Sequence, residues 1–241
     1  MKIPWTKDEL NEQVRKAVAF YWRKRKSQSR NQLQKKVRDA GTRGEVTGGK
    51  QLNGFAKILF GIGQAAGFSD GEMFDGKDFP IPGYYRPQKN WDIVFVKNGK
   101  LVAVVELKSQ GGSVGNNFNN RTEEVLGVSH DFWKAYREKA FKVPSAPWVG
   151  YFFLLESSPK SKSPVRIASR SSTLPAMKIF NDTSYMNRYE ILCERLVRER
   201  DYSAAALLAT TRRGEIEACR NKSLSFAGFC ESLYRHLVAY S

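Results

Sequence analysis

An α/β fold, with a central mixed β-sheet built around one hairpin and flanked by helices, is predicted by three features of the chain. Two apolar runs, Trp91–Val96 and Leu101–Lys108, flank the turn formers Lys97-Asn98-Gly99-Lys100. A third apolar run, Trp148–Leu155, follows a stretch of about residues 122–141 in which Val125, Leu126, Phe132, Trp133, Tyr136 and Ala140 fall near one helical face. Both ends of the chain read as mainly helical.

Thr6-Lys7-Asp8-Glu9 has the form of a capping box, with Thr6 as N-cap and Glu9 three residues on. A helix is predicted to follow, burying Leu10, Val14, Ala17, Val18 and Tyr21. From Arg23 to Lys50 the chain turns rich in Lys, Arg, Gln, Ser and Gly, as in a solvated loop or a basic arm that orders on phosphate. Thr47-Gly48-Gly49-Lys50 is a turn into an apolar run at Phe55–Ile62. It lacks the GxxxxGK[ST] spacing, which excludes nucleotide binding there. Residues 68–90, with Gly71, Gly76, Pro80, Pro82, Gly83 and Pro87, are predicted to form a long connection into the hairpin. Beyond residue 180 one helix capped by Asp182 is expected to run through Arg200, and another over Leu224–Ala239. Residues 1–241 thus form a single domain, with a basic N-terminal arm (about 6–50) and a helical C-terminal elaboration (about 181–241).

Forty Lys and Arg against 24 acidic residues give a formal charge of +16. Self-repulsion on that scale opposes folding, so a polyanionic partner is indicated, nucleic acid first. No apolar run reaches the roughly 18 residues a membrane span needs, and the N-terminus shows no apolar leader. Cys193, Cys219 and Cys230 are odd in number and include no CxxC pair, as suits a reducing cytoplasm rather than a disulfide scaffold or zinc site. His130 and His236 are the only histidines, so histidine-rich metal centres are excluded. His130, within the central helix, and the indoles of Trp5, Trp22, Trp133 and Trp148 are assigned to structure.

The chemistry-bearing constellation lies on the hairpin. Alternation along the second strand puts Leu101, Ala103, Val105 and Leu107 on one face and Val102, Val104, Glu106 and Lys108 on the other. An acid and an amine thus close an apolar row, which is costly unless they are paired or hold a metal. For Asp92 to join them, register decides. A two-residue Asn98-Gly99 loop in a regular hairpin would set Asp92 opposite Val105, turned away from Glu106. An odd-length loop or an equivalent bulge is required. In that register Asp92, Glu106 and the carbonyl of Leu107 offer hard oxygen ligands suited to Mg²⁺, and Lys108 stands beside the same position.

The chain resembles the PD-(D/E)xK nucleases and, within them, the XhoI/PaeR7I family of type II restriction endonucleases. The likeness rests on Pro82-Gly-Tyr-Tyr-Arg-Pro87, Trp91-Asp92, Leu101-Val-Ala-Val-Val-Glu-Leu-Lys-Ser109 and Gly115-Asn-Asn-Phe-Asn-Asn-Arg121 with Glu123 and Glu124. Gly48-Gly-Lys, Gly54-Phe55 and Arg188-Tyr-Glu-Ile-Leu-Cys193 extend it over roughly residues 10–200. The resemblance implies a restriction-endonuclease-like core and a homodimer that cuts both strands of double-stranded DNA with Mg²⁺. The implied site is CTCGAG, cut after the first C to leave four-base 5′ overhangs. Asp92, Glu106 and Lys108 match the catalytic positions, and a cognate DNA methyltransferase is expected in the same system.

Candidate DNA contacts follow from residue type. Asn116, Asn117, Asn119 and Asn120 can bond adenine and Arg121 guanine, and they precede a helix whose N-terminal amides suit phosphate. Arg43 and Lys50 lie in the basic arm, Ser109 and Gln110 flank the active strand, and Lys160 and Lys162 lie in the basic segment 159–164.

Overall fold

The computed structural model describes residues 3–34, 49–143, 145–167, 174–217 and 219–241. The capping box forms: the amide of Thr6 donates to Glu9 Oε2 at 2.7 Å, and the amide of Glu9 donates back to Thr6 Oγ1 at 3.3 Å. It starts helix α1, Lys7–Gln34, which continues well past Arg23 into the stretch expected to leave helical order. All five anticipated apolar positions of α1, from Leu10 to Tyr21, are buried. The apolar run after Lys50 is helix α2, Asn53–Ala65, whose Phe55, Ile58, Leu59 and Ile62 each contribute roughly 1.5–3 kcal/mol by leaving water.

Residues 68–90 hold more structure than a connection. They contain strand β1 (Met73–Asp75) and a small hairpin of β2 (Ile81–Pro82) and β3 (Gln88–Lys89). The predicted hairpin follows as β4 (Ile93–Lys97) and β5 (Lys100–Gln110). Helix α3 runs from Val114 to Arg137. It starts earlier than predicted, so the asparagine run belongs to its first turns. Leu126 is exposed rather than core, and Ala140 lies beyond the helix end.

Strand β6 (Trp148–Glu156) comes next, then the short helix α4 (Pro159–Lys162) and helix α5 (Tyr185–Arg198). The cap of α5 is Ser184, whose Oγ accepts the amide of Asn187; Asp182 occupies a left-handed turn before it. The end predicted to be mainly helical also holds β7 (Ala204–Thr210) and β8 (Ile216–Glu217) before helix α6 (Phe226–Val238).

Six strands form one mixed sheet in the order β1-β4-β5-β6-β7-β8, with β5–β6 and β6–β7 parallel and the other pairs antiparallel. Helices α1, α2 and α6 cover the face carrying Ile93, Phe95, Ala103, Val105, Leu107 and Phe152. Helices α3 and α5 cover the other, which carries Val94, Val104, Tyr151 and Phe153. Among the described residues no helix is long and apolar enough to cross a membrane.

The hairpin register is set by a bulge. Asn98 and Gly99 both have positive φ, 51° and 69°, as a two-residue loop of mirror-image type requires. Lys97 faces Lys100 and Val96 faces Leu101, but Phe95 faces Ala103, so Val102 is an extra residue on β5. The strict alternation expected for β5 therefore breaks: Leu101 joins Val104 on one face, and Val102 joins Ala103 on the other. The carbonyl of Val102 accepts Nε2 of His236 on α6 at 3.1 Å, which satisfies a group the bulge removes from the ladder.

Burial holds the His236 imidazole below its ordinary value, opposed by its bond to Val102. A histidine shifted in that direction contributes stability that is complete above its unfolded pKa, about 6.5, and is lost as pH falls toward the folded value. His236→Gln keeps a donor without the titration. In urea unfolding it is expected to lose less stability than wild type between pH 7 and pH 5. His236→Ala, which orphans the carbonyl, is expected to cost about 1–3 kcal/mol at pH 7.

Candidate active site

The bulge advances the register so that Ile93 faces Val105. Asp92, just before β4, donates its amide to the Val105 carbonyl at 3.1 Å, and its carboxylate lies near enough to Glu106 for the two charges to interact. The required shift is therefore present, made within β5 rather than by a longer loop. Strand β4 starts at Ile93, whereas β5 stays paired with β6 as far as Gln110. From Glu106 onward the β4-side edge of β5 is thus open, and Asp92 closes it: its Oδ2 accepts the amide of Leu107 at 2.7 Å. The carbonyl of Leu107 lies on the same side as that amide, because both groups of an extended residue point to one neighbouring strand.

Glu106 is 4% exposed and carries two lysines. Lys108 Nζ lies 2.7 Å from its Oε1, and Lys89 Nζ lies 2.8 Å from its Oε2. Lys89 also donates to the carbonyl of Asn90 and sits over the ring of Trp91. Burial alone would raise the Glu106 carboxyl, but the two ammonium groups outweigh it and hold the group below the usual range. Asp92 goes the other way. Burial, then the neighbouring Glu106 charge, push it up to about 7 against the opposing Leu107 amide. Lys108 is held above its ordinary value because pairing with Glu106 exceeds the effect of its own burial.

Glu106 and Lys108 line a cavity of ≈ 550 Å³ with Tyr85, Arg86, Lys89, Arg121, Glu123 and Glu124. Arg121 on α3 pairs with Glu124, and its buried Nε has no partner. The donor set fits a hard divalent cation. Two carboxylates close enough to repel, with a carbonyl beside them, gain from a shared dication. Among the described residues no cluster of three or more His, Cys, Asp or Glu side chains forms a complete cage. The remaining positions would fall to water and substrate oxygens, as Mg²⁺ prefers.

The other sequence-nominated residues are dispersed. Asn116, Asn119 and Asn120 are exposed on α3, and Asn117 donates to the carbonyl of Ser113. Ser109 is half-buried, while Gln110 is buried and bonded to the carbonyl of Gly112. Lys160 is exposed on α4, and Lys162 pairs with Glu217. Of Lys50 only the backbone, in a tight 3-10 turn, is described; Arg43 lies outside the described residues.

Sequence reasoning missed Lys89, Arg86, Asp131 and Glu156. Glu156, buried at the end of β6, accepts the amide of Gly112 and pairs with Arg212, which fixes the turn between β5 and α3. A charged residue inside an apolar strand or on the apolar face of a helix was the available signal for Glu156 and Asp131.

The family model for "Restriction endonuclease XhoI" matches residues 31–221. The chain belongs to this family of restriction endonucleases. It is 41% identical over 213 residues to the type II restriction enzyme BstVI of Geobacillus stearothermophilus, covering 83% of this chain and 93% of that one. It is 40% identical over 192 residues to the type II restriction enzyme XhoI of Xanthomonas vasicola, covering 78% and 76%. To the type II restriction enzyme AbrI of Azospirillum brasilense it is 38% identical over 172 residues, covering 68% and 77%. No solved structure matches it significantly. The mixed sheet with helices on both faces is consistent with the family's restriction-endonuclease-like fold.

The electrostatics give an expectation separate from cutting. A carboxyl whose folded pKa is raised weakens the fold; the loss is absent below the unfolded value near 3.8 and complete above about 7. In EDTA, Asp92→Asn is expected to unfold at higher urea concentration than wild type at pH 8, with the difference shrinking toward pH 4.

Proposed function

We propose that this restriction endonuclease hydrolyses both strands of double-stranded DNA at a palindromic site with Mg²⁺, and that the site is CTCGAG cut to leave four-base 5′ overhangs. The observation that carries the proposal is the bulge-set register, which brings the carboxylates of Asp92 and Glu106 and the amine of Lys108 together beside a cleft that Arg86, Lys89 and Arg121 line along with Glu123, Glu124 and Asp131. A similar centre without the accompanying cleft would carry little, since short acid–lysine motifs recur by chance.

In this proposal Asp92, Glu106 and the Leu107 carbonyl would hold Mg²⁺. The chemistry such an ion would supply there is polarisation of the scissile phosphate and a lowered pKa for the attacking water. Lys108, released from Glu106, orients the attacking water in line with the departing oxygen and offsets charge in the transition state. Lys89 neutralises the same carboxylate from the opposite side. Arg121, already in the cleft, takes a phosphate or a guanine edge. Asn116, Asn117, Asn119 and Asn120, on the first turns of α3, are proposed to read bases. Ser109, Gln110, Arg43, Lys50, Lys160 and Lys162 are proposed to bind the duplex through phosphates, which position rather than specify. The enzyme acts as a homodimer, because a two-fold axis matches a palindrome. It works in the cytoplasm, beside a cognate methyltransferase that protects the host's own sites.

A sequenced plasmid digested at about 5–10 mM Mg²⁺, the millimolar range suited to a weakly held hard cation, tests this directly. Discrete fragments with TCGA overhangs are expected, with none in EDTA. Glu106→Ala and Lys108→Ala are each expected to lose at least about 10²–10³-fold in rate, as removal of transition-state charge stabilisation does. A smear, or cutting that survives in EDTA, would overturn the proposal. Discrete bands with other ends would keep the reaction and discard CTCGAG.

A further inference from the structure

The tip of the small β2–β3 hairpin, Gly83-Tyr84-Tyr85-Arg86, is held by an unusual device. Asp131, on the buried side of α3, is 4% exposed. Its Oδ1 accepts the amides of Tyr84 and Tyr85 at 2.9 and 2.8 Å, and its Oδ2 accepts Arg86 Nε at 2.7 Å. Burial works against that charge, but the three donors hold the carboxyl below its ordinary value. Only glycine fits at 83, where a Cβ would come within 2.8 Å of the Arg86 carbonyl oxygen and 2.9 Å of Asp131 Oδ2.

A turn that needed only to close would not require a buried anion. What the anion fixes faces outward. Tyr84 and Tyr85 are 47% and 65% exposed, and the Arg86 side chain is 42% exposed. Nε is engaged by Asp131, so the two Nη groups of Arg86 remain available in a fixed plane, the geometry that suits a phosphate. Further positive or polar groups surround the tip: Lys134 lies over Tyr84, and the Tyr85 hydroxyl meets His130 Nε2 at 3.2 Å. Tyr85 and Arg86 line the same cavity as Glu106 and Lys108.

We infer that this tip is a DNA-backbone clamp on the rim of the active site, with Asp131 orienting Arg86 onto a phosphate near the one that is cut. The inference rests on the proposed DNA substrate. Arg86 is the contact, and Asp131 is a positioning residue.

Fluorescence anisotropy in Ca²⁺, with a duplex containing CTCGAG and a scrambled duplex, tests it over a range of salt. Arg86→Gln is expected to weaken binding to both duplexes by the same factor, about tenfold or more, as loss of a charged hydrogen bond does. Its log–log salt slope is expected to fall by about 0.9, the value for one phosphate. Asp131→Asn, which keeps the Arg86 charge, is expected to weaken binding less. It should also expose the bonds after Tyr84 and Tyr85 to chymotrypsin, with protection restored by Arg86-dependent DNA binding. Circular dichroism of both variants separates these effects from global unfolding.

If wild type binds and Arg86→Gln binds equally, with the same slope, the clamp is overturned. If the loss is confined to the CTCGAG duplex, Arg86 reads a base and the backbone assignment is overturned. If wild type binds neither duplex, the proposed substrate fails first.

Discussion

Val102 has no partner across the hairpin, and the geometry of the candidate site depends on that one extra residue. A regular two-residue hairpin would have turned Asp92 and Glu106 to opposite sides of the sheet, because side-chain direction has a period of two. The bulge cancels half a period between the turn and the site. It is held from outside the hairpin: His236 on α6 takes the Val102 carbonyl, and the amide of Leu101 donates to the carbonyl of Lys142. Helix α6 thus helps to fix the register of the candidate site.

That face is electrostatically expensive. Glu106 is buried with two lysines on it, and Asp92 is pushed to about 7 by burial and by Glu106. A fold under selection for stability alone would gain by replacing such groups with apolar ones. Their presence at the open edge of β5, beside a cleft lined in part by Arg86, Lys89 and Arg121, fits an enzyme of the restriction-endonuclease family, whose substrate is DNA. Asp131 and Glu156 serve the same end one step removed. Each is a buried carboxylate that fixes a loop at the edge of the site.

Much of this was legible in the chain. The capping box and the apolar stripe of α1 are local signals, and both formed as anticipated because packing reinforced them. The two strands of the hairpin and the need for a register shift followed from the spacing of Asp92, Glu106 and Lys108. The position of the shift did not. Leu101 to Val105 are all apolar and buried on both faces, so no alternation marks where the period breaks. Strand β7 was hidden for a related reason. Ala204-Ala-Ala-Leu-Leu-Ala-Thr210 has the composition of a helix, and only pairing between β6 and β8 makes it extended. Lys89 and Arg86 lay in a stretch without periodicity, and their importance comes from contacts with residues 17 and 45 positions away.

The shift that brings the Asp92 and Glu106 side chains together is what the candidate site depends on, and a cross-link measures it most directly. Residues opposite one another on the same face of a sheet bring their Cβ atoms to about 4.5–5.5 Å, within reach of a disulfide after small adjustment. Asp92→Cys combined with Glu106→Cys, oxidised in the folded protein and mapped by mass spectrometry, is expected to give the 92–106 bond. Asp92→Cys combined with Val105→Cys is expected to stay reduced. A bond in the second variant and none in the first would mean a hairpin without the bulge, and a face on which Asp92 and Glu106 do not meet.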